Sequence, residues 1–371
     1  MRIVFAGGGT AGHINPAIAI AQFIKSRHTD ADIHFVGNKD SLEERIVKQK
    51  GFTFHTIDVK GLKRSFSPEN IKIMGKAIKA TGDCKKLLKQ IKPDIAVGTG
   101  GYVSFPLIKA ASDMGIPTAI HEQNAFPGIT SRILSKKVDC VMISFADSKG
   151  RLPKNAKTVL VGNPIREEFV FADKQRAREI LGIPKDKKLI VSFAGSLGAR
   201  EFNNAVIEMM DIEKDNESLL HIHATGRYGF KWMPDKLADR GITPEKYPNI
   251  RVREYIDDMW NVMAAADVVI GRGGAGTIAE LLALAKPAIL VPSPNVTHNH
   301  QYHNVMSLVR ENAAMILEEK DISGKNLVEM TRKIFADKNF EKTLSDNAVK
   351  LAIYDSSQKI YEQLMDIKKI K

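Results

Sequence analysis

Cysteine is almost missing from this sequence: its 371 residues contain two, Cys84 and Cys140. Two isolated thiols give neither a disulfide framework nor the paired spacing of a zinc site, and they fit a reducing compartment. Long apolar runs are missing too; none approaches the ~20 predominantly apolar residues that span a bilayer. With Met1 running directly into the strand-like Arg2-Ile-Val-Phe-Ala6, no secretory leader is expected. Hydrophobic residues make up 43% and charged residues 26%. With no low-complexity tract, that balance excludes a disordered, collagenous or disulfide-stapled chain, and leaves a globular one of two to three domains at ~150 residues each.

Charge is plentiful but lopsided. The 55 Lys and Arg against 43 Asp and Glu give a net +12, which suggests a nucleic acid, an acidic membrane face or a phosphorylated substrate as partner. Residues 1–163 hold 25 basic and 13 acidic residues, whereas residues 164–371 hold 30 of each. An anionic surface is therefore expected to face the first half. Ten of the basic residues, with two acids, lie between Lys60 and Lys92. The periodicity there predicts a helix over 69–91 with a core arc of Ile73, Ala77, Cys84, Leu88 and Ile91. A second apolar strip, Ile71, Met74 and Ile78, is flanked by Lys72, Lys76 and Lys79. Such a strip suits an anionic membrane surface, each lysine adding ~1 kcal/mol.

Short β-branched runs alternate with longer helical patterns, as in parallel βαβ units. Strands are predicted at 2–6, 33–36, 95–97, 118–120, 140–143 and 158–161, then at 189–193, 219–224, 250–253, 268–270 and 288–291. The halves echo each other, each opening with an apolar strand, a Gly-rich turn and an amphipathic helix. The expected fold class is α/β, with two doubly wound Rossmann-like domains, 1–163 and 164–355. They divide near Val161-Gly-Asn-Pro-Ile165, and a C-terminal helix over 356–371 is free to pack back on the first domain.

Four turns share one grammar: Gly7-Gly-Gly-Thr-Ala-Gly-His13, Gly98-Thr-Gly-Gly-Tyr102, Gly195-Ser-Leu-Gly-Ala-Arg200 and Gly271-Arg-Gly-Gly-Ala-Gly-Thr277. Each follows a strand and opens a helix, where unpaired N–H groups and the helix dipole favour an anion. Gly7, Gly9 and Gly12 match the dinucleotide fingerprint, but the second strand ends at Asn38 without the acid that would take a ribose. In the fourth turn the helix instead carries Glu280, placed to accept two ribose hydroxyls or to complement the dipole. Asp30-Ala-Asp32 reads as a solvated turn, and His298, His300 and His303 lack the carboxylate or thiolate company of a zinc site. No metal and no other cofactor is therefore expected.

Taken in order, Gly7–His13, His121-Glu-Gln-Asn124, Val161–Arg166, Gly195–Arg200, Tyr255-Ile-Asp-Asp258, Gly273–Glu280 and Pro292-Ser-Pro-Asn-Val-Thr297 to Gln301 closely resemble the MurG family of bacterial peptidoglycan synthesis. The resemblance implies the glycosyltransferase-B fold with an interdomain cleft. It also implies inverting transfer of N-acetylglucosamine from UDP-GlcNAc to the MurNAc 4-hydroxyl of lipid I, giving lipid II. The first domain would bind the acceptor and the second the donor. Residue by residue, it implies that the Ile256 backbone reads uracil and that Glu280 takes the ribose. Ser196 with Gly274, Ala275, Gly276 and Thr277 would hold the diphosphate and sugar. Gln301, with His300, would recognise the GlcNAc ring, and Arg166 would contribute to donor binding. Thr10, Ala11, Gly12 and Asn124 would reach the sugar from the first domain. Ala11 stands where the family commonly has glycine, a change of one methyl group.

Direct displacement at an anomeric carbon needs a base for the attacking hydroxyl. Histidine titrates at about 6.5 when unperturbed, and His13, closing the first loop, is the candidate base. The expected setting is peripheral attachment to the cytoplasmic face of the cell membrane, with other cell-wall enzymes as further partners. A UDP-sugar epimerase or a glycolipid glucosyltransferase is the alternative enzyme. A nucleic-acid module is disfavoured, because no helix-turn-helix, zinc or aromatic–basic pattern is present.

Overall fold

Strand β1, Arg2–Ala6, shows why the first half folds as a sheet covered on both faces. Successive side chains point to opposite faces. Ile3 and Phe5 pack with Ile14, Ala17, Ile18, Ala21 and Ile24 of the helix Ala11–Arg27. Val4 and Ala6 pack on the other face with Ala80, Cys84 and Leu88 of the helix Glu69–Ile91 and with Leu107, Ile108 and Ala111 of the helix Ser104–Asp113. Both faces being buried, the strand is apolar from Ile3 to Ala6, as parallel strands are.

A computed structural model of the chain describes residues 1–61 and 69–370. Lys63 and Arg64 of the basic segment lie outside the described residues. The chain forms two compact units, Met1–Ile165 with Asp355–Lys371, and Arg166–Tyr354. The first crossing thus falls two residues beyond the sequence-based division at 163.

Among the described residues, the first unit holds a seven-stranded parallel sheet in the order β3-β2-β1-β4-β5-β6-β7. After β1 come β2 (Asp32–Asn38), β3 (Thr53–Ile57), β4 (Ile95–Gly98), β5 (Thr118–Glu122), β6 (Cys140–Ile143) and β7 (Thr158–Leu160). The second unit holds a six-stranded parallel sheet, β10-β9-β8-β11-β12-β13. Its strands are β8 (Lys188–Phe193), β9 (Leu219–Ala224), β10 (Ile250–Arg253), β11 (Val268–Gly271), β12 (Ala288–Leu290) and β13 (Met315–Ile316). Edge strands β3 and β13 were not predicted from periodicity. The order in which strands are added reverses between β1 and β4 in one sheet and between β8 and β11 in the other, while every pairing stays parallel. At such switch points a crevice opens at the carboxyl ends of the strands, and all four glycine turns follow these strands.

The helix Ser356–Ile370 lies against the helix Ala11–Arg27. Ile360, Leu364 and Ile367, one stripe at helical spacing, are buried with Ile3 and Phe5. Tyr361 Oη is 2.7 Å from His28 Nε2, and Arg27 donates to Gln358 across the same seam. No helix among the described residues is long and apolar enough to cross a membrane.

Candidate active site

In the first unit the turns after β1 and β4 are in backbone contact: Gly8 N–H donates to the Gly100 carbonyl and Thr99 N–H to that of Ala6. A side chain on Gly101 (φ +76°) would overlap the Gly8 carbonyl oxygen, so this approach requires glycine. Thr99 Oγ1 donates to the His13 carbonyl at 2.7 Å. Thr10 is the N-cap of the helix Ala11–Arg27 and its side chain caps nothing, while Ala11 and Gly12 are exposed in the first turn.

The Gly9 N–H instead faces the buried carboxylate of Glu43, 3.3 Å away. A dinucleotide pyrophosphate over this turn would confront that negative charge, a physical reason why the three-glycine fingerprint is not a dinucleotide site here.

At the carboxyl end of β5, buried Glu122 accepts from the Asn124 N–H at 3.0 Å, from Asn124 Nδ2 at 3.3 Å and from the Gly128 N–H at 3.0 Å, shaping the loop that carries Asn124. Gln123 Oε1 lies 3.2 Å from His13 Nδ1 and so joins this loop to the first glycine turn. Sequence pattern alone assigns no part to Gln123, Glu43 or Glu122, because each acts through a partner distant in the chain or through a loop geometry that only the fold creates.

In the second unit the turn after β8 runs through Gly195 (φ +85°) and Gly198 (φ +79°), leaving Ser196 exposed. It crosses the turn after β9 at backbone distance: a Cβ on Gly198 would overlap the Thr225 carbonyl oxygen, and one on Gly226 the Gly198 nitrogen. Arg227 N–H donates to Ser196 O and Tyr228 N–H to Leu197 O. The Gly226 N–H donates to Glu254 O, which ties in the segment after β10. There the Ile256 side chain is buried and Tyr255 is exposed.

After β11, Gly274 begins the helix Ala275–Ala283 with no side-chain cap and no acid in its first turn, an arrangement receptive to an anion. Gly276 is exposed and Thr277 half-buried. Glu280, farther along this helix, lies 4.0 Å from Arg166. Burial pushes its carboxyl up to about 7, opposed by the Arg166 guanidinium. Arg166 stacks on Phe169 and Trp260, its Cζ 4.9 Å and 5.4 Å from the ring centroids, so two aromatic faces fix the cation beside the carboxylate.

Gln301 belongs to the helix His300–Val309, whose Asn304 Nδ2 donates to the Gly273 carbonyl at 3.1 Å. Its own Oε1 accepts the Ser293 N–H at 2.8 Å, leaving the amide NH2 as its donor. The chain enters this helix through two left-handed residues, His298 (φ 54°) and Asn299 (φ 50°). Backbone strain of that kind clusters at functional sites.

On the helix Glu69–Ile91, Ile71 is 74%, Met74 59% and Ile78 73% exposed. Lys72 and Lys79 are exposed, whereas Lys76 pairs with Asp58 at 2.6 Å. Ala80 is buried with Ile73, Cys84, Leu88 and Ile91, while Ala77 is half-buried. Asp32 of Asp30-Ala-Asp32 sits at the amino end of β2, away from the glycine turns, and pairs with Arg2 and His34. Among the described residues no group of His, Cys, Asp and Glu is arranged to hold a metal ion.

Residues 3–143 match the glycosyltransferase family 28 N-terminal domain and residues 189–360 its C-terminal domain. The chain belongs to glycosyltransferase family 28, with two Rossmann-like units of the glycosyltransferase-B fold. It is 42% identical, over its whole length and 99% of the relative, to the UDP-N-acetylglucosamine–N-acetylmuramyl-(pentapeptide) pyrophosphoryl-undecaprenol N-acetylglucosamine transferase of Acetivibrio thermocellus. To the Bacillus subtilis protein of that name it is 37% identical, with both chains fully covered. The crystal structure of Acinetobacter baumannii MurG superposes with a TM-score of 0.78 at 25% identity, over 98% of this chain and 99% of that one. This chain is a member of the MurG family. A Neisseria meningitidis UDP-GlcNAc 2-epimerase shares the fold at a TM-score of 0.66 but only 14% identity, a likeness of fold alone.

Proposed function

We propose that this enzyme moves N-acetylglucosamine from UDP-GlcNAc to the 4-hydroxyl of the MurNAc residue in undecaprenyl-pyrophosphoryl-MurNAc-pentapeptide, the lipid I to lipid II step of peptidoglycan synthesis. The observation that carries this reading is the full-length identity of 42% to a transferase named for that reaction. The geometry supports a division of labour. The second unit takes the donor: Glu280 receives the ribose hydroxyls, and the Ile256 backbone reads the uracil edge. Ser196 and the open helix end at Gly274–Thr277 receive the diphosphate, Gln301 donates to the sugar, and Arg166 assists. Backbone donors aimed where charge develops stabilise the departing UDP. The first unit takes the acceptor, with His13 as base and with Thr10, Ala11, Gly12 and Asn124 serving the sugar.

The test is transfer of labelled GlcNAc from UDP-GlcNAc to a lipid I analogue by the full chain. Transfer is expected; its absence, with folded protein and bound UDP-GlcNAc, refutes the reading.

Attachment to an anionic membrane surface through Ile71, Met74 and Ile78, with Lys72 and Lys79 beside them, is supported by the exposure of that strip. The Lys76–Asp58 pair takes Lys76 out of the attractive charge. Charge reversal at Lys72 and Lys79 together is expected to cut sedimentation with anionic vesicles about tenfold or more, at ~1 kcal/mol for each lysine lost. Reversal at Lys76 is expected to matter less.

A further inference from the structure

The hydrogen bonds around Gln123 have a fixed direction. Its Nε2 lies 3.0 Å from the His121 carbonyl oxygen and 2.8 Å from His121 Nδ1. A backbone carbonyl only accepts, so the end of the amide facing it is the NH2 group and the side chain cannot be turned over. Oε1 is thereby aimed at His13 Nδ1, 3.2 Å away, and an oxygen there calls for the proton on Nδ1. His121 obeys the same logic. Its Nδ1 accepts from Gln123, so its proton is on Nε2, which donates to the Gly162 carbonyl at 2.9 Å. Complete burial pushes the His121 pKa down, favouring the neutral ring that this pattern needs. The His13 ring lies against Gly100 (φ +100°), where a Cβ would come within 2.7 Å of its Nδ1. No protein group among the described residues hydrogen-bonds His13 Nε2.

We propose that Gln123, locked by buried His121, is a positioning residue that holds His13 in its Nδ1–H tautomer and so presents the Nε2 lone pair as proton acceptor. The catalytic part of this rests on the glycosyl-transfer reading. In that step the acceptor hydroxyl oxygen bonds to the anomeric carbon and its proton passes to His13 Nε2. The bond from the anomeric carbon to the diphosphate breaks, its electron pair leaving on UDP. His13 then carries two N–H groups, one still donated to Gln123. An amide, unlike a carboxylate, takes no proton from it, so the new proton departs from Nε2 to solvent.

Gln123→Met removes both of the amide's links at nearly constant volume. In the full-length chain, ¹⁵N NMR of the histidine side chains is expected to show His13 protonated at Nδ1, and Gln123→Met to shift it toward Nε2–H. For GlcNAc transfer, kcat is expected to fall about 10²-fold, within the range of general-base contributions, with KM for UDP-GlcNAc changed less than about twofold. Gln123→Met is expected to add nothing to His13→Ala in the double variant. Should Gln123→Met not fold, Gln123→Asn, which draws the amide back from His13, is expected to give the same tautomer shift. An unchanged Nδ1–H signal, or further loss in the double variant, overturns the proposal. The tautomer is read without turnover, so a parent chain that transfers nothing would count against the glycosyl-transfer reading while the NMR result still judges the positioning.

Discussion

Glu280 illustrates how one side chain can be prepared for a ligand by its surroundings. Its carboxyl, raised to about 7 by burial, is close to half-ionised at neutral pH, although Arg166 stands 4.0 Å away. In the proposed donor complex, two hydroxyls donated by a ribose would favour the ionised form, so the pKa there would lie below that of the free protein. Affinity for UDP-GlcNAc is then lost as pH falls below about 7 and recovered as pH rises through it. Calorimetry from about pH 6 to about pH 8 is expected to show proton release on binding. Glu280→Gln is expected to abolish that release and weaken binding about 10–100-fold, the worth of charge-assisted hydrogen bonds. From sequence, Glu280 could be placed on a helix behind a glycine turn. Its raised pKa could not, because that depends on the wall that buries it and on a cation held by Phe169 and Trp260.

At the scale of elements, the glycine turns and most strands were readable because apolar runs and turn residues alternate sharply. The edge strands were not. Thr53-Phe-His-Thr-Ile57 mixes polar and apolar residues, since it has β2 on one side only, and Met315–Ile316 is too short to show a period. The start of the helix Ala11–Arg27 is also hard to read from sequence, for Gly12 and Pro16 in its first turns mask it. Within the His121–Asn124 motif the residue types were visible, but not the direction of the Gln123 amide, which only the returning His121 carbonyl fixes. The turns themselves carry a sharper expectation. Gly198 is left-handed and pressed on the Thr225 carbonyl, so Gly198→Ala combines backbone strain with overpacking and is expected to cost about 2–5 kcal/mol. A lowered urea midpoint would show this. Gly276→Ala, with open space around the added methyl, is expected to leave the midpoint nearly unchanged while testing donor affinity.

For the whole molecule, the net charge of +12 resolves into a basic first half and a neutral second half. That division is what the proposed roles require: an acceptor-binding unit on an anionic surface, and a donor unit whose diphosphate is met by backbone amides. Stability is divided in a less obvious way, because the first unit is completed by residues 355–371. Leu364 is fully buried there, and Leu364→Ala is expected to destabilise the unit by about 2–5 kcal/mol. Hydrogen exchange should report the loss in the helix Ala11–Arg27 and in β1, and little of it in β8 or β11.

That same terminal helix sets an order of events during synthesis. When the ribosome has made residues 1–165, Ile3, Phe5 and Ile14 are in place in the chain, but Ile360, Leu364 and Ile367, which share their core in the finished fold, are still untranslated. The whole second unit, Arg166–Tyr354, emerges before the first sheet receives its last cover. A message cut short after the second unit would therefore yield both sets of glycine turns yet leave an open apolar seam on the first unit. The cell's chaperones and proteases would meet that product as unfinished, whatever chemistry its loops could still perform.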